Sequence, residues 1–332
     1  MSEFNVAVVG ATGAVGREMV KILEEREFPI KDLVLLASER SVGETISFKK
    51  KEFKVQELNT NSFEDIDIAL FSAGSAVSMK FAPIAAKNGT IVIDNSSAFR
   101  MDSHVPLVVP EVNPGDVKKH NGIIANPNCS TIQMVVALKP VLDEVGINRI
   151  IVSTYQAVSG TGKAAIDELE EQSSQILNKK KLIRKVYPHQ IAFNILPHID
   201  KFENNGYTKE EMKLIHETKK ILGNNKIKIT ATAVRVPVFY GHSESIYLET
   251  QKRILIKKLK DIYIKTKGIK LVDDIANDKY PLAIMSETYD DVMIGRLRKD
   301  LSEPNGINMW IVANNLRKGA ALNAVQIAEL LI

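Results

Sequence analysis

The chain contains a single cysteine, Cys129, within the polar stretch "NPNCST". Apolar residues at helical spacing follow it as far as Pro140, so we predict that Cys129 opens a helix and that Asn128 caps it. At such a position the helix dipole and nearby cations lower a thiol pKa from about 8.5 to about 3.5–7.5, which favours the nucleophilic thiolate. A lone cysteine is more often a small buried apolar residue. The polar flanks favour a catalytic thiolate, with Asn128 beside it.

A thiolate that adds to a carbonyl needs an acid or base near the sulfur, and a histidine is the natural candidate. The chain has six histidines, and composition does not choose among them. His242, in "FYGHSES", follows Gly241 at a predicted strand end, where side chains reach a site. Beside a nicotinamide cofactor, these groups suit an aldehyde dehydrogenase or an acyl-phosphate reductase that forms a thioester on the cysteine.

The turn "GATGAVG" supplies the candidates for nucleotide binding. It lies between an apolar strand, "FNVAVV", and a helix, where glycines let the backbone approach a pyrophosphate and the helix offers free N–H groups. We therefore predict a dinucleotide site, with a purely structural turn as the alternative. The candidate residues are Gly10, Thr12, Gly13, Ala14, Val15 and Gly16.

The residues after the second strand bear on which dinucleotide binds. An acidic residue there takes the ribose 2′-OH of NAD, whereas an arginine accommodates the 2′-phosphate of NADP. The chain has Ser38, Glu39, Arg40 and Ser41 in this place. We predict NADP(H), bound by Ser38, Arg40 and Ser41, and Glu39 keeps NAD possible.

A second glycine-containing segment, "SGTGK", begins at Ser159. A phosphate loop of the Walker type would need glycine at position 157 and a hydroxyl residue after the lysine, but the chain has Ala157 and Ala164. ATP hydrolysis is therefore excluded. The segment offers flexible backbone N–H groups next to Gln156, and we count Ser159 and Gly160 among the cofactor-binding candidates.

The elements that must position these residues form two domains. Up to residue 128 short apolar strands alternate with helices, one of them from about Ser75 to Lys87, which predicts an open parallel sheet whose ligands bind beyond the strands' carboxyl ends. After Cys129 the strands are longer and alternate, which predicts an α+β domain with a mainly antiparallel sheet. We expect a nucleotide-binding domain of residues 1–128 and 313–332, completed by the last helix, and a catalytic domain of residues 129–312.

Composition excludes several other classes of protein. Hydrophobic residues at 45% and charged residues at 25% are ordinary for a soluble protein. One cysteine, no signal segment and no long apolar run indicate a cytoplasmic protein without disulfides or a membrane role. The net charge is +4, and we interpret the basic run at 178–185 as a solvated loop and not as a nucleic-acid surface. We expect no metal site.

Taken together, the motifs resemble those of the aspartate-semialdehyde dehydrogenase family over the whole chain. The matching segments are "GATGAVG", "SSAFR", "NPNCST", "YQAVSGTG", "RVPVFYGHSES" and "NNLRKGAALNAVQIAELL". The resemblance implies a Rossmann-type domain completed by the C-terminal helix, and a catalytic and dimerisation domain. It also implies the making of L-aspartate 4-semialdehyde from 4-phospho-L-aspartate and NADPH with release of phosphate, in lysine, methionine and threonine biosynthesis, by a homodimer or a dimer of dimers.

The resemblance also implies roles for individual residues. Cys129 resembles the thioester nucleophile, Gln156 the residue that orients the intermediate, and His242 the general acid/base. Arg235 resembles the clamp on the substrate α-carboxylate, which suits a planar guanidinium. The other matching positions are Arg100 for phosphate, Glu210 and Lys213 for substrate amino and phosphate groups, and Asn315 for the cofactor, although Asn314 and Asn315 could equally cap the last helix.

Two geometric arguments bear on these roles. Glu210 and Lys213 are three residues apart on a predicted helix and can share a face, whereas Glu211 and Lys213 cannot. They could still be a solvated helix pair, just as the arginines could be structural ion-pair partners. Arg235 and His242 are separated by seven residues, about 23 Å if extended, and would point to opposite sheet faces. The strand must therefore bend, at Pro237 and Gly241.

Three rival functions stay open from the sequence. N-acetyl-glutamyl-phosphate reductase shares the fold and the thioester chemistry, but its cysteine usually lies in Gly-Cys-Tyr where this chain has Asn-Cys-Ser. A short-chain reductase would need Tyr-x-x-x-Lys, and the only such pair, Tyr263 and Lys267, lies in a lysine-rich helix without substrate features. A non-catalytic NADP-binding regulator would not need the cysteine.

Overall fold

The computed structural model describes residues 3–332. Its α-helices are α1 (Ala14–Glu25), α2 (Ser75–Lys87), α3 (Cys129–Val145), α4 (Lys163–Leu177), α5 (Lys209–Ile221), α6 (Ile256–Lys265) and α7 (Leu322–Glu329). Its strands are β1 (Phe4–Val9), β2 (Ile30–Ala37), β3 (Thr45–Phe48), β4 (Lys51–Lys54), β5 (Gln56–Glu57), β6 (Ile68–Phe71), β7 (Ile91–Asp94), β8 (Ile123–Ala125), β9 (Ile147–Gln156), β10 (Lys228–Arg235), β11 (His242–Thr250), β12 (Ile269–Leu271), β13 (Val292–Lys299) and β14 (Gly306–Ala313).

The chain divides into two compact units. The first comprises the residues up to Asn128 together with Gly319–Ile332, and the second comprises Cys129–Lys318. The boundary near the C-terminus therefore lies at Gly319, not at residue 313 as expected. The reason is local: after β14, the Asn314 side chain donates to the carbonyl of Ser286 and Arg317 pairs with Asp290, both in the second unit.

The first unit is built on a six-stranded sheet in the order β5-β2-β1-β6-β7-β8, with every pairing parallel. Its inner strands are short and apolar, as in β6, where all four residues are buried. Helix α7 packs against α1, β6 and β7 and buries Leu322, Val325 and Ile327 in the same core. The predicted parallel sheet completed by the C-terminal helix is thus confirmed.

The second unit is built on a mixed six-stranded sheet in the order β10-β9-β11-β14-β13-β12. The three central pairings are antiparallel, whereas β10 and β12 join the edges parallel to their neighbours. In β11 the buried side chains alternate, with His242, Glu244, Ile246 and Leu248 on one face. Helix α3 packs against β9, β11, β13 and β14.

Two helical predictions can be compared with the structure. Helix α2 has the predicted bounds. The last helix, expected to complete the first domain, is preceded by a π-helical turn, Arg317–Ala321, and α7 follows it. Within residues 3–332, no helix combines the length and apolar character that a membrane crossing requires.

The basic run at 178–185 follows α4 and lies on the surface, as predicted. Two buried side chains of α4 hold the chain that continues from it. The Glu168 carboxylate accepts hydrogen bonds from the backbone N–H groups of Lys185, Val186 and Tyr187. The Gln172 side-chain oxygen accepts two more, from residues 191 and 192. The end of this run and the residues after it are therefore held to α4 by hydrogen bonds from the main chain to side chains of the helix.

Candidate functional site

The glycine turn of the first unit requires its glycines. Gly10 has φ +80°, and a Cβ there would lie 2.9 Å from the backbone of Ser72. A Cβ on Gly16 would lie 2.1 Å from the carbonyl oxygen of Gly10. Gly13 is the exposed N-cap of α1 and makes no side-chain capping bond. The first N–H groups of α1 thus stand open beside a close backbone turn, a cradle that fits a dinucleotide pyrophosphate.

The other predicted cofactor residues of this unit lie nearby along the sheet. Strand β1 lies between β2 and β6, where the strand order reverses and such sheets bind ligands. Ser38 and Arg40 are exposed after the end of β2, and Thr12 in the glycine turn donates a 3.3 Å hydrogen bond to Ser41. Ala14 is exposed and Val15 half-buried. A basic side chain and two hydroxyl groups therefore border the glycine turn.

Arg100 is held in the first unit, in the loop after β7. The buried Asp94 carboxylate accepts hydrogen bonds from Ser78 and from the backbone and side chain of Ser96. This fixes the loop, and Arg100, 7% exposed, donates to the carbonyl of Asn95 at 2.9 Å. Sequence reasoning did not single out Asp94 or Asn95. The available signal was a polar pair directly after a buried strand.

In the second unit, Gln156, Arg235 and His242 lie at the same end of three neighbouring strands, β9, β10 and β11. Arg235 ends β10, which runs parallel to β9 and pairs Arg235 with Gln156. His242 begins β11, which runs antiparallel along the other side of β9. The expectation of one bent strand is therefore wrong: two strands flank β9, and residues 236–241 cross its end.

Backbone contacts hold this crossover in place. Val236 N–H donates to the carbonyl of Gln156, and Val158 N–H donates to that of Val238. Gly241 has φ +86°, and a Cβ there would lie 2.7 Å from the carbonyl of Ala283. Pro237 and Gly241 were expected to make the bend, and both lie within the crossover. The crossover is what brings side chains seven residues apart to the same place.

The peptide groups of Ala157 orient both Arg235 and His242. The Arg235 Nη1 donates to the Ala157 carbonyl at 2.6 Å, and the Ala157 N–H donates to His242 Nδ1 at 3.1 Å. A Cβ on Gly160 would lie 3.2 Å from Arg235 Nη1 and from His242 Nε2. The guanidinium and the imidazole therefore converge beneath Gly160, which is exposed. Because Ala157 orients them through its backbone, its residue type could not reveal this role in the sequence.

The environment of His242 sets its protonation state. Its side chain is fully buried, and burial first, then the charge of Arg235, lowers its pKa well below the usual 6.5. Because Nδ1 accepts the Ala157 N–H, the neutral ring carries its proton on Nε2. Within residues 3–332, no hydrogen-bond partner meets this Nε2. His242 is thus a neutral ring whose Nε2–H donor lies beside Gly160.

Gln156 belongs to a second group of buried polar side chains. Its Nε2 donates to Glu210 at 3.0 Å and to Thr154 at 3.3 Å. Glu210 also binds Lys213 at 3.2 Å, and Lys213 binds Asp200 at 2.9 Å. The prediction that Glu210 and Lys213 share a helix face is confirmed, and Glu210, 5% exposed, is not part of a solvated pair.

This group carries charge at the candidate site. Burial acts against ionisation of Asp200, but the hydrogen bond and charge of Lys213 together hold its pKa below the usual value. Lys213 thus brings a cation between two carboxylates, next to the side-chain amide of Gln156. Glu211, which was rejected for this role, instead caps α5 with Thr208 and accepts the N–H of Ala233.

Ser159 and Asn315 contact each other. The Asn315 amide bonds to the Ser159 hydroxyl at 3.0 Å and accepts the N–H of Gly241 at 3.0 Å. Asn314 accepts the N–H groups of the next turn, as a helix cap does. The expectation of flexible N–H groups in this segment is wrong, because those of residues 158, 159, 160 and 162 are bonded within the protein.

Cys129 is the first residue of α3, as predicted, and it is partly exposed. Asn128, which precedes it, is 7% exposed. Tyr263, the alternative catalytic tyrosine, is fully buried and donates to the carbonyl of Ala137 at 2.9 Å. That tyrosine has a structural role in the core.

Two family models match this chain, one in each of its two units. The model "Semialdehyde dehydrogenase, NAD binding domain" matches residues 5–120. The model "Semialdehyde dehydrogenase, dimerisation domain" matches residues 138–318. The chain is thus an oxidoreductase of the semialdehyde dehydrogenase class with an NAD(P)-binding domain.

Individual relatives narrow the class. An aspartate-semialdehyde dehydrogenase of Aquifex aeolicus is 58% identical over 99% of this chain and 98% of its own length. The crystal structure of aspartate semialdehyde dehydrogenase II of Vibrio cholerae complexed with ASA is 52% identical, with TM-score 0.96 over 100% of this chain and 98% of that one. The enzyme of Candida albicans with NADP is 26% identical, with TM-score 0.78 over 99% and 98%. The chain belongs to the aspartate-semialdehyde dehydrogenase family.

Proposed function

We propose that this enzyme reduces 4-phospho-L-aspartate to L-aspartate 4-semialdehyde with NADPH, releasing phosphate, through an acyl-thioester on Cys129. The observation that carries the proposal is the convergence of Arg235 and His242 on Ala157, at the sheet edge where Gln156 ends β9. The reaction would serve lysine, methionine and threonine biosynthesis. The Vibrio cholerae relative complexed with ASA supports the substrate.

The cofactor proposal rests on the end of β2. Bound NADPH supplies the hydride that reduces the thioester. We propose that the residues from Gly10 to Gly16 hold its pyrophosphate and that Ser38, Arg40 and Ser41 hold the 2′-phosphate, since all three are at least partly exposed there. The Candida albicans relative with NADP supports this preference.

The proposed chemistry assigns one task to each side chain. The Cys129 thiolate attacks the acyl carbon, a C–S bond forms, and the C–O bond to phosphate breaks. Arg235 binds the substrate carboxylate, Arg100 the phosphate, and Gln156 orients the thioester. After reduction the C–S bond breaks, which releases the aldehyde and restores the thiolate.

His242 is proposed to stabilise the oxyanion that forms in both steps. Its neutral ring offers Nε2–H, and the Ala157 contact fixes the direction of that donor. A preorganised donor of this kind stabilises developing negative charge without reorientation. Proton uptake by His242 would require loss of the Ala157 bond.

The match to a dimerisation domain supports the association of two copies of this chain. The sheet face opposite His242 carries Tyr155 and Trp310, whose ring centres lie 5.4 Å apart, beside a cavity of about 520 Å³. We propose a homodimer joined through this face, and pairs of dimers as a further level. Sedimentation equilibrium should give at least twice the 36.9 kDa of one chain, and a single-chain mass would contradict the proposal. The lone cysteine suits a reducing compartment, and we propose the cytoplasm.

One assay tests reaction, substrate and cofactor together. Phosphate-dependent reduction of NADP⁺ by L-aspartate 4-semialdehyde should be fast, whereas N-acetyl-glutamate semialdehyde and NAD⁺ should support little turnover. Cys129→Ala should abolish turnover and retain NADPH binding. Activity of that variant above trace level would exclude the thioester route, and activity with only the N-acetylated aldehyde would make the enzyme a glutamyl-phosphate reductase.

A further inference from the structure

Glu244 is a buried carboxyl group that the proposed reaction does not use. It lies within β11 and is fully buried. Neither of its carboxyl oxygens makes a hydrogen bond of good geometry within residues 3–332. Burying an unpaired carboxylate costs so much free energy that such a group takes up a proton instead. A strand in a sheet core would normally carry an apolar residue here, so the carboxyl group calls for an explanation.

The neighbours of Glu244 are the elements that carry the candidate catalytic residues. Side chains alternate along a strand, so Glu244 lies on the same face as His242, two residues earlier. Its register partner on β9 is Thr154, whose hydroxyl accepts the Nε2 of Gln156. Helix α3, which begins at Cys129, packs against β11.

Gln133 is the point of contact on that helix. It is four residues after Cys129, so the two lie on the same helix face, and it is 1% exposed. Its Nε2 makes no hydrogen bond of good geometry, yet its amide lies close enough to Glu244 to act on the carboxyl charge. Two unsatisfied polar groups therefore face each other between α3 and β11.

The electrostatic surroundings favour the protonated carboxyl group. Burial raises the pKa of Glu244 well above its usual value; the Gln133 amide opposes the shift, and the charge of Glu210 adds to it. Glu210 is the acidic group that faces Glu244 from α5, and His242 is the titratable group on its own strand face. Neither is a cation that would restore the carboxylate, because burial and Arg235 keep His242 neutral.

We propose that Glu244 is a positioning residue of the thioester site, which acts as a neutral carboxylic acid and joins β11 to the Cys129 helix through Gln133. The inference rests on the proposed function. A neutral acid can both donate to and accept from an amide, so Glu244 and Gln133 can satisfy each other. The pair sets the position of the first turn of α3 relative to His242. An apolar pair would pack as well but would leave that position less defined.

Three variants test the proposal. Glu244→Gln keeps the size and the donor and acceptor atoms, whereas Glu244→Leu keeps the volume and removes them. Gln133→Leu breaks the same contact from the helix side. Glu249→Gln is the matched control, because Glu249 is a partly exposed glutamate on the same strand. Each variant is measured for kcat and KM, for thermal unfolding between pH 5 and 8, and for the pH profile of iodoacetamide alkylation of Cys129, the only thiol.

We expect Glu244→Gln to keep at least about a third of kcat, whereas Glu244→Leu and Gln133→Leu lower kcat about tenfold or more with KM little changed. The leucine variants should also shift the alkylation profile of Cys129 while remaining folded. The thermal midpoint of the wild type should fall relative to Glu244→Gln as pH rises above about 4.3, because only the folded state then keeps the proton.

Wild-type kcat and an unchanged alkylation profile in Glu244→Leu would overturn the proposal. Glu244 would then serve only to fill space in the core. Equal loss in Glu244→Gln and Glu244→Leu would also overturn it, since the charged carboxylate would then be required. If the wild type does not turn over L-aspartate 4-semialdehyde, the proposed function fails. The alkylation profiles then decide the inference separately: a shift in both leucine variants supports the positioning of Cys129, and no shift excludes it. If Glu244→Leu does not fold, Gln133→Leu gives the same comparison.

Discussion

At the scale of single residues, the main chain of Ala157 determines how two functional side chains are presented. Its carbonyl accepts a hydrogen bond from Arg235 Nη1, and its N–H donates one to His242 Nδ1. Arg235 Nε and His242 Nε2 make no hydrogen bond within residues 3–332, so each side chain keeps a donor for a ligand. The N–H and the carbonyl belong to the two successive planar peptide groups that meet at the Cα of Ala157, so the backbone angles of this one residue set how the two side chains stand relative to each other.

Arg235→Lys should lower kcat/KM for L-aspartate 4-semialdehyde about 10- to 100-fold. A single ammonium cannot both bond the Ala157 carbonyl and offer two parallel donors to a carboxylate. Steady-state kinetics of purified enzyme measures the effect. Arg184→Lys, in the exposed loop after α4, is the matched control and should match the wild type. Equal kinetics for the two variants would remove Arg235 from the carboxylate clamp.

His242 should leave a signature in the dependence of activity on pH. Its folded-state pKa lies below 6.5, so the neutral form prevails at and above that pH and kcat/KM should show no His242 limb there. The folded protein binds fewer protons than the unfolded chain between the two pKa values, so its stability should fall as pH drops below about 6.5. Rate profiles and thermal unfolding from pH 5 to 8 measure both. A rate limb near pH 7 that disappears in His242→Gln would contradict the neutral ring.

At the scale of elements, helix α4 shows how buried polar side chains can order a loop of poor intrinsic structure. The run at 178–185 is basic and exposed, and its sequence alone specifies no regular structure. Glu168 accepts three successive backbone N–H groups from the residues that follow, although it is 1% exposed. The end of this loop is thus held by a side chain that lies seventeen to nineteen residues earlier in the chain than the N–H groups it binds.

Glu168→Ala should release this loop while the remaining fold persists. Each lost hydrogen bond to a charged group is worth about 1.5–3 kcal/mol, so local opening should become far more frequent. Limited trypsin digestion should cut between Lys179 and Lys185 about tenfold faster or more. Glu170→Ala, an exposed glutamate on the same helix, is the control. Identical digestion of both variants would show that Glu168 does not order the loop.

At the scale of the whole molecule, the chain ends in the unit with which it begins. Helix α7 contributes Leu322, Val325 and Ile327 to the core that β1 and α1 build. The exposed rim of the same contact carries Arg26 and Glu329, paired at 2.5 Å. Loss of the C-terminal helix should therefore disturb nucleotide binding by the first unit, although α7 is remote in sequence from the glycine turn.

Ile327→Ala should destabilise the first unit by about 2–5 kcal/mol, because it opens a cavity where the side chain is fully buried. NADPH binding should weaken in parallel, since only the folded unit binds the nucleotide. Urea unfolding and fluorescence titration measure the two effects. Ile332→Ala, at a position that is 52% exposed, removes the same atoms near the end of the chain and should change stability little. Similar losses in both variants would argue against α7 as a core element.

The sequence by itself determined the features that depend on neighbours along the chain. The glycine turn, the parallel sheet of the first unit, the helix that begins at Cys129 and the shared face of Glu210 and Lys213 all follow from local spacing and backbone sterics. The motifs also indicated the family that the relatives establish. Short-range patterns are sufficient for the turn, the helix start and the shared helix face because each concerns residues within one or two elements, and the alternation of short apolar strands with helices is enough to indicate a parallel sheet.

Only the tertiary structure decided which distant residues meet. The placing of β10 and β11 on either side of β9, which unites Arg235 with His242, depends on the order of strands in a sheet. Ala157 orients the two side chains through its main chain, so its residue type gives no sign of that role. The burial of Glu244 depends on α3 covering one face of β11. The boundary at Gly319 likewise depends on contacts to Ser286 and Asp290. Strand order, burial and main-chain contacts are properties of the packed chain, and no local pattern encodes them.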